Sequence, residues 1–391
     1  MDPIANPYTP GAGSRPQELA GRAAELRQFE ILVGRLKRGA TEQSMVIKGL
    51  RGVGKTVLLN AFQDQAESQG FLTYYHELTP ESSLAGEIAR DAERALTRLS
   101  LSERMTGKVR DGLAHLRTIS LTGPEGFGLS IDFAGADEGS VTSDLTDLFL
   151  QVGDAALSKE RGVVFLIDEI QFADEVQFRA VVSALHRATQ KSLPITLAAA
   201  GLPQIPRLSG EARSYAERLF TFPTIANLGE PEARAALLEP ARQQGVEYEA
   251  AGVEGALQWT AGYPFYIQQL GKHAWNLATD SPITAANVED AIPYAVEALD
   301  GSLYEVRVQR ATPTERAYMR AMAELGDGPY RSGEVATKLN KSATAVSPTR
   351  QDLINKGLIY ATEDYGFIDF TVPRFHEFMR RYMAFQEPGE A

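Results

Sequence analysis

The run Gly49-Leu50-Arg51-Gly52-Val53-Gly54-Lys55-Thr56 sets two glycines five apart ahead of a Lys-Thr pair. This spacing fits the phosphate-binding loop of nucleoside triphosphatases. Its flanks agree with that reading. Apolar Met45-Val46-Ile47 leads in, as a strand would, and Val57-Leu58-Leu59-Asn60-Ala61-Phe62 leaves with helical character. Glycines let the backbone wrap an anion and turn successive N–H groups inward, and the helix that follows presents its positive end to the same anion. The expected cofactor-binding set is therefore Gly49, Gly52, Val53, Gly54, Lys55, Thr56 and Val57. Lys55 is a point charge for the β- and γ-phosphates of ATP, and the Thr56 hydroxyl is a candidate ligand of Mg²⁺. The ordinary alternative is a glycine-rich turn between a strand and a helix. The correct flanks and the Lys-Thr pair together argue against it.

A chain of 391 residues exceeds one compact core and predicts two or three domains. Its apolar fraction of 43% and charged fraction of 23% are those of an ordinary water-soluble protein. No apolar stretch reaches the length of a membrane span, and the first residues carry neither a basic cluster nor an apolar signal core. Cysteine is absent, which removes disulfides and thiolate metal sites. Together these features point to the cytoplasm. His76, His115, His186, His273 and His376 share no metal-ligand spacing. The net charge of −12 argues against a surface coated for nucleic acid, though not against a local basic patch.

Residues 1–17, rich in Pro and Gly, read as an extended arm. From 18 to 228 helix-period and strand-like segments alternate. Helices are expected over Ala23–Lys37, Leu84–Leu101, Leu145–Leu157 and Glu175–Gln190, and strands at Phe71–Tyr75, Val163–Ile167 and Pro194–Gly201. This alternation predicts an α/β domain with a parallel sheet sandwiched by helices. The stretch 115–134 alternates apolar and polar residues about Gly123-Pro124-Glu125-Gly126 and reads as a hairpin, either a sheet extension or an apolar face for a partner. Residues 229–308 are helical, with Pro240, Gly262-Tyr263-Pro264 and Ser281-Pro282 as breakers. A third unit runs from 309 to 391.

Val163-Val164-Phe165-Leu166-Ile167 ends in Asp168-Glu169-Ile170-Gln171. An apolar strand tipped by two acids suits nucleotide hydrolysis. Asp168 would orient Mg²⁺ through its water shell, and Glu169 would polarise the attacking water.

The order of arm, Gly21-Arg22-x-x-Glu25-Leu26, phosphate loop, Asp-Glu pair, helical lid and winged helix resembles the AAA+ superfamily. Within it the chain is similar to origin-recognition-complex-type ATPases, to signal-transducing ATPases with numerous domains (STAND), and most of all to bacterial ORC-like AAA ATPases. The resemblance implies a P-loop NTPase fold with an α-helical lid and a C-terminal winged-helix domain. It makes Gly21 and Arg22 candidate base-pocket residues, and Pro264 of Gly262-Tyr263-Pro264 a candidate neighbour of the base. It makes Arg218, with Arg213 as second choice, a candidate arginine finger acting on a neighbouring subunit. The chain departs from the pattern twice. The lid helix offers Gln268, Gln269 and Lys272 where an arginine is usual, and the strand ending Ala199-Ala200-Gly201 lacks a polar sensor, with Gln204 a weak substitute. These departures suit slow turnover.

The C-terminal segment reads as three helices, Thr314–Leu325, Gly333–Leu339 and Pro348–Lys356, the last capped by Ser347. A hairpin about Glu363-Asp364-Tyr365-Gly366 follows. In such a module the third helix can enter DNA, and Lys341, Ser342, Thr344, Thr349, Arg350 and Lys356 are candidate contacts. Acids match bases in number here, and the wing tip has the wrong sign for a phosphate backbone. A protein partner is the other option. The sequence thus predicts a Mg²⁺-dependent ATPase that works either as a DNA-associated machine or as a nucleotide-controlled switch. The alternative is a slow or non-hydrolysing STAND-like scaffold that recruits a protein.

Overall fold

Strands β1 (Ser44–Lys48), β3 (Val163–Asp168) and β4 (Ile195–Gly201) are buried nearly throughout, as expected of a parallel sheet covered on both faces. The computed structural model describes residues 1–11, 13, 19–100, 138–203, 216–362 and 364–385. With β2 (Leu72–Glu77) and β5 (Phe220–Thr221) these strands form a five-stranded parallel sheet in the order β2-β3-β4-β1-β5. The expected hairpin over 115–134, Gln204, Arg213 and Glu363 lie outside the described residues.

Strand alternation sorts the sheet's side chains between two cores. Met45, Ile47, Val164, Leu166, Ala198 and Ala200 face helices α1 (Ala23–Lys37) and α2 (Lys55–Ser68), where the Phe29 and Phe62 rings stack at 4.2 Å. Val46, Val163, Phe165, Ile167, Leu197 and Ala199 face α3 (Leu84–Ser100), α4 (Glu138–Ser158) and α5 (Glu175–Gln190). Each large side chain fully buried here, such as Phe178, contributes roughly 1.5–3 kcal/mol. Asp174 caps α5 by accepting from Val176 N and Gln177 N.

Helices α6 (Glu230–Gln243), α7 (Ala250–Thr260), α8 (Pro264–Leu277) and α9 (Ala285–Leu299) form an all-helical layer with its own core. Pro240 does not break α6. It lies inside the helix's last turn, held there by buried Leu237, Leu238 and Ala241. Thr284 and Asn287 close a capping box at the start of α9. Beyond α9 the chain continues through a π-helical turn, Asp300–Glu305, into a helical stretch, Val306–Val308.

The C-terminal unit packs α10 (Pro313–Glu324), α11 (Ser332–Lys338) and α12 (Ala343–Asn355) against an antiparallel sheet, β6 (Tyr330–Arg331), β8 (Phe367–Phe370) and β7 (Ile359–Ala361). Helix α13 (Phe375–Tyr382) follows. Helix α12 starts earlier than its sequence predicts. Ser342, not Ser347, is the cap and accepts from Ala345 N, so that Pro348 sits inside the helix. The ring removes the donor for the Thr344 carbonyl and crowds that oxygen, and Thr344 is exposed, so the carbonyl can turn outward to water. The apolar core under α1 and α2 runs on without a break through Tyr263, Tyr266, Leu303 and Tyr304 into Tyr318, Phe370 and Phe375. Among the described residues no helix is long and apolar enough to cross a membrane.

Candidate functional site

All five strands run the same way, so the loop after β1, the tip of β2, and the acids at the end of β3 meet at one end of the sheet. There Gly49 fits because a Cβ would strike the Ile225 carbonyl, and Gly52, at φ +75°, because a Cβ would strike the Tyr263 hydroxyl. Gly54 takes φ 96° as the N-cap of α2, a conformation costly for any side chain. The helix thus starts with its free N–H groups aimed at the loop's interior.

The Lys55 ammonium is buried and donates to the carbonyls of Gly49 (3.0 Å) and Leu50 (2.7 Å). Burial pushes its pKa down to about 8, against the opposing pull of Glu169 and Asp168. Thr56 Oγ1 donates to Asp168 Oδ2 at 2.5 Å, and Tyr75 Oη donates to the same oxygen at 3.2 Å. Burial, then the Asp168 charge, raises the Tyr75 phenol well above its ordinary range. Glu169 sits at φ 53°, its N–H donating to Asp168 Oδ1 (2.8 Å). The carboxylate of Glu169 is held from two sides. Arg51 Nη1 pairs with Oε1 at 2.9 Å, and Gln171 Nε2 donates to Oε2. Gln171 Oε1 in turn accepts from Leu202 N, just past β4, at 3.0 Å. Glu77, opposite Asp168 in the strand register, has its pKa raised by burial and then by the Asp168 and Glu169 charges.

These groups open into a cleft of about 810 Å³. That is ample for a small ligand. The sheet wall comprises Arg51 to Val57, Glu77 and Glu169. The opposite wall comes from Pro264, Phe265 and Gln268 of α8, from Ser302, Leu303, Val306, Arg307 and Arg310, and from Lys356 to Leu358. The arm contributes Thr9, Pro10, Gly11 and Gly13. Arg307 is pushed down to about 10 by burial and then by the nearby Arg51 charge.

The candidate residues divide clearly. Gly52, Val53, Gly54, Lys55, Thr56, Val57, Glu169, Arg22 and Pro264 line the cleft, and Asp168 reaches it through Thr56. Gly49 lies behind the loop. Arg22 is buried, with its guanidinium spent on backbone carbonyls, Val53 at 2.9 Å and Ala226 at 2.8 Å, and burial lowers its pKa. Gly21 is packed under Leu228 and Glu232, behind its neighbours Ala20 and Arg22, which line the cleft. Arg218 is exposed beside the first residues of β1, its carbonyl accepting from Gln43 Nε2, at the end of the sheet away from the phosphate loop. In the C-terminal unit Lys341 and Thr344 are exposed, Thr349 is half-buried, and Arg350 Nη1 donates to Ser332 Oγ at 3.3 Å. Lys356 does not face outward as expected for a nucleic-acid contact. It pairs with Glu315 at 2.7 Å and lines the cleft.

Arg51, Gln171, Tyr75 and Arg307 also belong to the site and carry no role in the sequence expectations. Arg51 and Gln171 stand inside the two motifs and were available there. Arg307 has no local signal, because only the tertiary fold brings it to the loop.

A family model described as an AAA ATPase domain matches residues 18–197. A second, described as a domain of unknown function (DUF8462), matches 301–379. No curated protein matches the chain at a significant level. Among solved structures the chain is similar to the Walker-type ATPase PABY2304 of Pyrococcus abyssi, at 13% identity and a TM-score of 0.57, covering 94% of this chain and 97% of that one. Aeropyrum pernix ORC1 in complex with DNA matches at 18% identity and 0.47, covering 94% of each chain. The Thermotoga maritima RuvB Holliday junction branch migration motor matches at 17% and 0.46, covering 94% and 99%.

Proposed function

We propose, for a chain whose residues 18–197 form an AAA+ P-loop ATPase domain, that it binds and slowly hydrolyses ATP with Mg²⁺ and converts nucleotide state into movement of its C-terminal unit. The observation that carries this is the contact of Thr56 Oγ1 with Asp168 Oδ2 at 2.5 Å, beside a glycine loop and one residue from Glu169. This all-oxygen pair suits a hard cation, so Thr56 and, directly or through water, Asp168 would hold Mg²⁺. Bound there, the ion would neutralise charge on the phosphoryl oxygens. Lys55 would exchange its two carbonyl partners for phosphate oxygens and regain full charge. Glu169 would accept the proton of the attacking water, with Gln171 fixing the carboxylate against β4. Pro264 and the Arg22 segment would flank the base.

The proposed division is an arm at 1–17, an ATPase core at 18–228, a lid at 229–308 and a winged helix at 309–391. A switch is favoured over a DNA-driven machine. Arg350 and Lys356 are engaged within the protein, and the wing tip presents Asp364 beside a fully exposed Tyr365, which suits a protein partner. Arg218 would act in trans in an oligomer, since it lies outside the cleft of its own chain.

The test is ATP turnover, nucleotide affinity and oligomeric mass, with and without DNA, for the natural chain and Glu169→Gln. The expected outcome is slow turnover, trapped ATP in the variant and no dependence on DNA. Salt-sensitive DNA binding lost on substitution of Lys341 and Arg350 would favour the machine instead. Absence of ATP and ADP binding would end the reading.

A further inference from the structure

Arg51 lies inside the glycine loop, yet a phosphate-wrapping backbone does not require an arginine there. Its side chain is 15% exposed and that of its partner Glu169 is 17% exposed. Nη1 is committed to Glu169, while Nε is buried with no hydrogen-bond partner among the described residues. A buried charged donor left unpaired is costly, so this side chain gains from any acceptor that a ligand brings to it. The surroundings specify that acceptor's charge. Lys55, Arg51, Arg307 and Arg310 line the same cleft, against Glu169 and Glu77 with Asp168 behind them. The like charges of Arg51 and Arg310 help hold the Arg307 pKa down. A polyanion would relieve that crowding. Glu169 also fixes which end of the ligand is concerned, since the group that activates water must stand beside the phosphate under attack.

The backbone of Arg51 is gripped by the rest of the molecule. Its N–H donates to the Thr371 carbonyl at 3.1 Å, just past β8. Its carbonyl accepts from the Tyr263 hydroxyl, in the turn before α8. Its guanidinium lies against Gly357, in the turn after α12. One residue therefore touches the acid at the tip of β3, the helical layer and the C-terminal unit.

We propose that Arg51 is the side chain that distinguishes ATP from ADP, leaving Glu169 for the terminal phosphate and reporting that exchange to the C-terminal unit at Gly357, against which its guanidinium lies, and at Thr371, which its backbone holds. This rests on the ATP-binding reading above. The exchange gives the orphaned Nε an acceptor and frees Glu169 Oε1 for water in a single step.

The experiment is calorimetry of the full chain with Mg-ATP and Mg-ADP, alongside hydrogen exchange at residues 357–358 and 371–373, for wild type, Arg51→Gln and Arg51→Lys. Arg51→Gln is expected to weaken ATP roughly tenfold or more and ADP by less than about threefold. Arg51→Lys keeps the charge but loses the fork and Nε, so it should fall between. In wild type, exchange near Thr371 should differ between ATP and ADP, and in Arg51→Gln the two patterns should coincide. An ATP-to-ADP affinity ratio unchanged in both variants, or equal loss for both nucleotides, overturns the proposal and leaves the ATP-binding reading intact. If wild type binds neither nucleotide, both fall together. Should Arg51→Gln fail to fold, the ratio in Arg51→Lys decides alone.

Discussion

The two walls of the cleft are built by opposite means. The sheet wall is local: eight consecutive residues form the loop, and two adjacent acids end a strand. The facing wall is assembled from α8, the segment after α9, the turn after α12 and the arm, pieces separated by up to hundreds of residues. Local backbone requirements produce motifs, because glycine at φ +75° or 96° leaves little choice of residue. A wall made by tertiary packing needs only that some side chain of suitable charge arrive, and many sequences satisfy that.

If this contrast is right, changes at Lys55 and Glu169 of the sheet wall should abolish function and changes in the facing wall should tune it. The largest effect is expected from Glu169→Gln, which should slow single-turnover hydrolysis by roughly a hundredfold or more while leaving ATP affinity near wild type, as rapid-quench and calorimetry would show. Lys55→Ala should weaken ATP by on the order of a hundredfold, the worth of one charge-assisted phosphate contact in a desolvated site. On the facing wall, Arg307→Ala should weaken ATP only about tenfold, with melting temperature unchanged or raised, since it removes a buried cation crowded by Arg51. A loss as large as that of Lys55→Ala would break the contrast. The smallest effect is a pH dependence. The Lys55 pKa is depressed to about 8, below the ordinary lysine value, so its charge is nearly complete at pH 7 and is lost as pH rises through 8. ATP affinity should therefore be roughly fourfold weaker at pH 8.5 than at pH 7, while Arg in place of Lys55 flattens the profile.

The same contrast governs what the sequence discloses. The buried strands and amphipathic helices of the α/β layer were readable because both faces of the sheet are covered and period and composition agree. The helices Ala23–Lys37, Glu175–Gln190 and Ala285–Leu299 fall where their patterns place them. Proline misled twice. At Pro240 buried neighbours hold the helix, and at Pro348 the freed carbonyl is open to water, so a residue read as a boundary lies within a helix. Helix α13 carries Phe375, Phe378 and Met379 on one side, a helical spacing that the reading passed over. In the site, Lys55, Thr56, Asp168 and Glu169 come together as their motifs predict. Arg307, just past the π-helical turn after α9, reaches the cleft that Gln268 of α8 also lines, and no window of sequence reveals that.

The arm has a mechanical consequence. Tyr8 is sunk in the helical layer, its hydroxyl donating to the Leu237 carbonyl and meeting Tyr248 Oη at 3.0 Å, and Gly271 leaves room for its ring. Five positions later Gly13 lies against Thr56. A peptide tether of that length spans at most about 18 Å when taut. Any gaping of the molecule wider than this must uproot the tyrosine or peel the strap from Thr56, so the arm limits how far the cleft can open.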